Sequence, residues 1–202
     1  MLNVYFIGGS PCSGKSTVAE TIAKHYNFHY FKVDDFLDKY TARGAKQNKP
    51  NCIKQTQMTP EQIWMRNPEE QNAEELQFYE EVFEFLFQDI QAISSENKII
   101  TEGAALLPRL MKQTGIKQKH YVSITPTKKF QITHYKERPW VYNALEGCSD
   151  KEQAFKNWMD RDILFANEIR QQCVETGYTS FVNDGTILID DLVKRVCLSF
   201  GL

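Results

Sequence analysis

The chain has 202 residues, of which 42% are hydrophobic and 25% charged, with a formal net charge of -2; it is a globular composition, long enough to bury a full core. The balanced charge excludes a global attraction to nucleic acid or to an acidic membrane, and no run of about 18 apolar residues is present to span one. Cys12, Cys52, Cys148, Cys173 and Cys197 are odd in number and form no C-x-x-C pair, so neither a disulfide framework nor a zinc site is suggested, and reduced thiols in a cytoplasm are expected.

Residues 2–7 form a short apolar run that stops at Gly8 and Gly9. It lacks the basic leader of a secretion signal and suits a buried strand. From Gly14, Val18, Ala19, Ile22, Ala23 and Tyr26 recur at helical spacing. Residues 28–33 predict a second strand, ended by Asp34 and Asp35. Residues 37–59 are polar and rich in lysine, and are expected to be mobile or ordered by a ligand. Thr59 then caps a new helix with Pro60 at its first position, and residues 68–93 predict a long helix. A third strand over 98–102 ends at Gly103. Residues 104–112 read as helical, with Pro108 a kink or a fresh start. A fourth strand covers 120–124, a helix 127–137, a loop 139–150, a long helix 151–175, a last strand 179–182 and a closing helix 187–198. Alternation of strand and helix on this scale predicts an α/β fold, a parallel sheet with helices on both faces. Ligands of such sheets bind at the carboxyl ends of the strands, so those ends carry the functional candidates.

The first strand end reads Gly9, Ser10, Pro11, Cys12, Ser13, Gly14, Lys15, Ser16, a full match to G-x-x-x-x-G-K-[ST] between a strand and a helix. Glycines let backbone amides turn inward around a phosphate, and the helix start favours an anion. Lys15 reaches the outer phosphates, Ser16 offers a hydroxyl to magnesium, and Thr17 continues the motif. Cys12 is either a spacer or a redox-sensitive thiol. Asp34 and Asp35 suit the acceptor side of phosphoryl transfer, where a carboxylate accepts or orients a hydroxyl proton; helix capping is the alternative. Glu102 is the candidate partner of magnesium, and Gly103 would let the backbone pass close to the nucleotide. Arg138 and Arg161 would close over transferring phosphate, or be surface residues. Trp64 and Arg66 could hold an acceptor ring or phosphate. Asp184 and Gly185 would line the adenine site or form a plain turn.

With these residues in place, the chain resembles the small-molecule kinases of the P-loop superfamily, the nucleoside monophosphate kinase-like group. Val33-Asp34-Asp35-Phe36 and Ile100-Thr101-Glu102-Gly103 look similar to segments of uridine and nicotinamide riboside kinases, and the chain is most similar to uncharacterised bacterial ATP-binding kinases. The resemblance implies a three-layer P-loop NTPase fold with a five-stranded parallel sheet in the order 2-3-1-4-5 and a small helical lid. It implies Asp34 as the acceptor-side base, Glu102 at magnesium and Arg138 on the lid. One domain over 1–202 is expected, with an acceptor segment over about 37–70 and a lid over about 136–162. The expected activity is transfer of the γ-phosphate of ATP, with Mg2+, to a small-molecule hydroxyl, by a monomer or homodimer without nucleic-acid or membrane partners. The rival is a nucleotide-dependent switch with slow ATPase activity acting on a protein partner.

Overall fold

The computed structural model describes residues 3–94 and 97–202; Leu2, the first residue of the expected opening strand, lies outside them. Strand β1 (Val4–Gly8) leads into α1 (Lys15–Tyr26) and β2 (His29–Lys32). A 3-10 turn (Val33–Phe36) then enters four helices, α2 (Leu37–Lys46), α3 (Pro50–Gln57), α4 (Pro60–Trp64) and α5 (Pro68–Ser94). Strand β3 (Ile99–Glu102), α6 (Pro108–Gln113), β4 (Tyr121–Pro126), α7 (Lys128–Lys136), α8 (Pro139–Ala144), α9 (Lys151–Thr176), β5 (Thr179–Asn183) and α10 (Ile189–Phe200) complete the order.

The five strands pair in parallel in the order β2-β3-β1-β4-β5. Side chains alternate between the two faces. Val4, Phe6, Ile99 and Tyr121 therefore join the core beneath α5 and α9, while Ile7, Ile100, Val122 and Ile124 pack against α1 and α10. Burial on both faces explains why these strands read as apolar runs rather than as alternations. The register sets Ile7 opposite Glu102, and Lys32 opposite the same residue. The carboxyl ends of β1, β2 and β3 thus share one rim.

Two expectations are corrected. Residues 37–57 form the helices α2 and α3, packed on α5. Their apolar positions are few, but Tyr40, Gly44 and Cys52 are buried. A Cβ on Gly44 would lie 2.3 Å from the Cys52 sulfur, so glycine lets the two helices touch. Three of the lysines that suggested mobility are paired with acids of α5: Lys39 meets Asp89 at 2.7 Å, Lys49 lies 3.9 Å from Glu84, and Lys54 pairs with Glu74. The Glu81 carboxylate of α5 also accepts from the amides of Asn51 and Cys52 at 3.1 and 2.9 Å, satisfying free donors at the start of α3. Residues 139–144 form α8, where a loop was expected, because Pro139 sits at the first helical position. Pro108 likewise starts α6 instead of kinking a longer helix.

A third apolar cluster lies at the rim. Tyr135 of α7, Val141 of α8 and Trp158 of α9 pack together with Cys12, and Trp64 packs against them from α4. Trp64 stacks on Trp158 with ring centroids 4.2 Å apart. Among the described residues no helix is long and apolar enough to cross a membrane.

Candidate active site

The loop between β1 and α1 is shaped by backbone constraints. Gly9 has φ 127°, and a Cβ there would lie 1.9 Å from the Ile124 carbonyl oxygen. Only glycine fits between two strands at that distance. Gly14 has φ 89° and Cys12 φ 59°; the latter is an unfavourable conformation for a side-chain-bearing residue. Lys15 is buried and donates from Nζ to the Ser10 carbonyl at 2.8 Å. That bond holds its ammonium over the loop. The hydroxyl oxygens of Ser10 and Ser13 are buried without a hydrogen-bond partner among the described residues. From the last strand, Asn183 donates Nδ2 to the Ser13 carbonyl at 3.0 Å.

Glu102 is 1% exposed at the end of β3. Its Oε1 accepts from Ser16 Oγ at 3.0 Å and from the Tyr30 hydroxyl at 2.9 Å. Its Oε2 is buried with no hydrogen-bond partner among the described residues. Burial and the neighbouring Glu102 carboxylate push the Tyr30 phenol well above its ordinary value, so it stays a donor.

A cleft of about 350 Å³ opens over the loop. Residues 11–17, including Thr17, form its floor, and Asp34, Arg138 and Arg161 line it with Tyr135, Trp140 and Trp158. Arg138 lies over the rings of Tyr135 and Trp140, 5.5 and 6.0 Å from their centroids, and makes no ion pair among the described residues. Arg161 is anchored from behind, 2.9 Å from Glu75 and 2.7 Å from Asp162. The Asp162 carboxylate also accepts from the Tyr135 hydroxyl at 2.8 Å.

No protein-family model matches the chain. A stretch of 65 residues is 34% identical to uridylate kinase of Saccharomyces cerevisiae, spanning 31% of this chain and 32% of that protein. The whole fold superposes on an uncharacterised protein from Eubacterium ventriosum with a TM-score of 0.52 and 15% identity, over 98% of both chains. Shikimate kinase from Aquifex aeolicus aligns with a TM-score of 0.42 and 18% identity, over 98% of this chain and 96% of that one. The fold shared with the Eubacterium ventriosum protein is a five-stranded parallel sheet in the order β2-β3-β1-β4-β5 with helices around it.

Within this fold the remaining candidates separate. Asp34 is open to the cleft, yet the surrounding protein withholds enough water to raise its carboxyl above the ordinary value of 3.8. Lys15 and Lys32 oppose that rise, while Glu102 and Asp35 add to it. Asp35 does not line the cleft; it points to solvent and meets Lys32 at 3.4 Å. Gly103 is corrected: a Cβ there would lie 2.6 Å from Cβ of Val33, so its missing side chain makes room for the 3-10 turn after β2, not for a nucleotide. Asp184 and Gly185 are also corrected. Asp184 accepts from the Thr186 amide at 2.9 Å in a local turn, Gly185 packs on Phe130, and neither lines the cleft. Cys12 is buried, which raises its thiol above the ordinary value of 9.0 against the pull of Arg138; the reading as a reactive thiol is dropped. Trp64 and Arg66 lie in a neighbouring cavity that shares Arg161 with the cleft.

Sequence reasoning missed Tyr30 and the carboxylates Glu75 and Asp162, and placed Asn183 only in the turn with Asp184 and Gly185. Tyr30 could be found only once the register of β2 on β3 was known, since it sits two rungs below Glu102 on the neighbouring strand. Asn183 carried a signal: it is the last residue of a strand whose end reaches the rim.

Proposed function

We propose that the chain is an ATP-dependent kinase that transfers the γ-phosphate to a hydroxyl of a small molecule. The observation that carries this reading is the meeting, in one cleft, of the loop with Lys15, a carboxyl at Asp34, and the arginines Arg138 and Arg161. A plain nucleotide switch needs the loop but has no use for a desolvated acid facing it.

Each residue has a task that follows from its surroundings. The loop amides and Lys15 hold the phosphate chain. Ser16 and Glu102 suit Mg2+: both offer hard oxygen, and the unpartnered Oε2 of Glu102 is a spare donor at the same place. The ion supplies charge neutralisation on the phosphate oxygens. Tyr30 fixes Glu102. Asp34 takes the acceptor's hydroxyl proton as the new oxygen–phosphorus bond forms and ADP departs. Its raised pKa makes it a better proton acceptor than an ordinary carboxylate. Arg161 stays charged, since Asp162 and Glu75 outweigh the burial that would lower its pKa. Arg138, held only by aromatic faces, is free to swing onto the transferring group. The free thiols fit a reducing compartment such as the cytoplasm.

The test is ADP release with Mg2+ and ATP, with and without a pool of hydroxyl metabolites. Lys15→Ala is expected to lower turnover by roughly 10²–10³-fold, the usual loss for one charge-stabilising donor. Intact turnover in that variant sinks the proposal. Stimulation by a protein partner alone, with no metabolite effective, points instead to the switch.

A further inference from the structure

We infer that the cavity beside the phosphate cleft receives the acceptor, and that this acceptor is a compact, uncharged, hydroxyl-bearing molecule. The inference rests on the kinase reading and adds the substrate class.

The cavity lies between α3, α4, α5 and α9 and has a volume of about 170 Å³. At about 30 Å³ per water, that is room for roughly six waters. A short polyol or a single sugar-sized ring fills it. The cavity adjoins the reaction centre in two ways. Arg161 lines both spaces. The buried Tyr79 hydroxyl is raised by burial, and then by the Glu75 carboxylate on the cavity side and by Asp34 on the cleft side.

Its charges are already matched. Two arginines and two glutamates line it: Arg66, Arg161, Glu74 and Glu75. Arg66 pairs with Glu74, and with Glu70 at 3.4 Å. Arg161 pairs with Glu75 and Asp162. No lining cation is left over for a phosphate or carboxylate, and a second anion here would face Glu74 and Glu75 at short range.

What remains unpaired is neutral hydrogen-bonding capacity. Gln71 is 4% exposed, and its Nε2 is fixed on the carbonyls of Arg66 and Trp64 at 2.8 and 3.4 Å. That fixes the amide's orientation and leaves Oε1 buried with no partner. Arg66 Nε is likewise buried and unpartnered. Gln55 lines the space with an amide that bonds to nothing in the described protein. Trp64 offers an apolar wall. An acceptor at Oε1 and a donor at Nε call for hydroxyls, which serve as both.

The experiment measures ATP consumption and direct phosphate transfer with glycerol, erythritol, ribose, glucose and inositol, each beside its monophosphate. Thermal stabilisation by Mg2+ and a non-hydrolysable ATP analogue reports the nucleotide site separately. Transfer to a neutral member, at least tenfold preferred over its monophosphate, is the expected result. Gln71→Leu then raises the KM for that member at least tenfold while stabilisation by the analogue persists. Should Gln71→Leu fail to fold, Glu74→Gln serves instead: removing one lining anion and leaving Arg66 paired only with exposed Glu70, it shifts preference toward the monophosphate by at least tenfold. Preference for monophosphates in the native protein overturns the inference and leaves the kinase reading standing. So does an unchanged KM in folded Gln71→Leu. If no member of either series receives phosphate although the analogue binds, the inference and the kinase reading fall together.

Discussion

Asp34 concentrates the chemistry into one testable side chain. Its folded-state pKa lies above the ordinary 3.8, so the ionised form is disfavoured by folding. The cost is present at neutral pH and fades as pH falls through the raised pKa. Asp34→Asn is therefore expected to keep binding of the ATP analogue, to abolish transfer, and to melt slightly higher than the native protein at pH 7. That gain should shrink on acidification. Parallel loss of nucleotide binding and transfer, or a lower melting temperature at pH 7, would mark Asp34 as structural. Glu102 contrasts with it. It sits under Ser16 and Tyr30 with both hydroxyls donating to one oxygen, which leaves the other oxygen for an ion.

At the scale of elements, the segment between β2 and β3 builds the proposed acceptor side. α3 begins where Glu81 receives two of its amides. Burial raises that carboxyl, but the amides of Asn51 and Cys52 bring it below the ordinary 4.5. The stability it contributes is present above the unfolded-state value and is lost as pH falls through the lower folded-state one. Glu81→Ala should cost roughly 1–3 kcal/mol at pH 7, the range for hydrogen bonds to a charged group. In urea titrations the difference from the native protein should close as the pH drops below the carboxylate range. A difference that persists there would assign the loss to packing. At α4, the box formed by Thr59 and Gln62 orients the short helix that brings Trp64 to Trp158.

For the molecule as a whole, the aromatic cluster ties together the helices around the cleft. Trp158 of α9 touches Trp64 of α4, Tyr135 of α7 and Trp140 beside Arg138. It thus links α4 to the segment that carries Arg138. Trp158→Ala should destabilise the fold by about 3–5 kcal/mol, as for other buried large-to-small changes. In the same variant, the KM values for nucleotide and acceptor should rise together, because the cleft loses a wall and the cavity's Trp64 loses its stacking partner. A rise confined to one substrate would refute the shared role.

Some of this was legible in the residues alone. The loop from Gly9 to Ser16 was, because its pattern is local: every constraint comes from neighbours in the chain. Alternating apolar runs and amphipathic stretches revealed the parallel α/β class for the same reason, and Asp34 and Glu102 followed from standing at strand ends. The helical nature of residues 37–57 was hidden, since Tyr40, Gly44 and Cys52 become a core only against α5. The true environments of Gly103 and Gly185 depend on Val33 and Phe130, distant in sequence. Pairing of Arg161 with Glu75, and of Arg66 with Glu74, decides which charges are left for a ligand. Charge matching of that kind is a property of distance in space, and only the tertiary structure sets it.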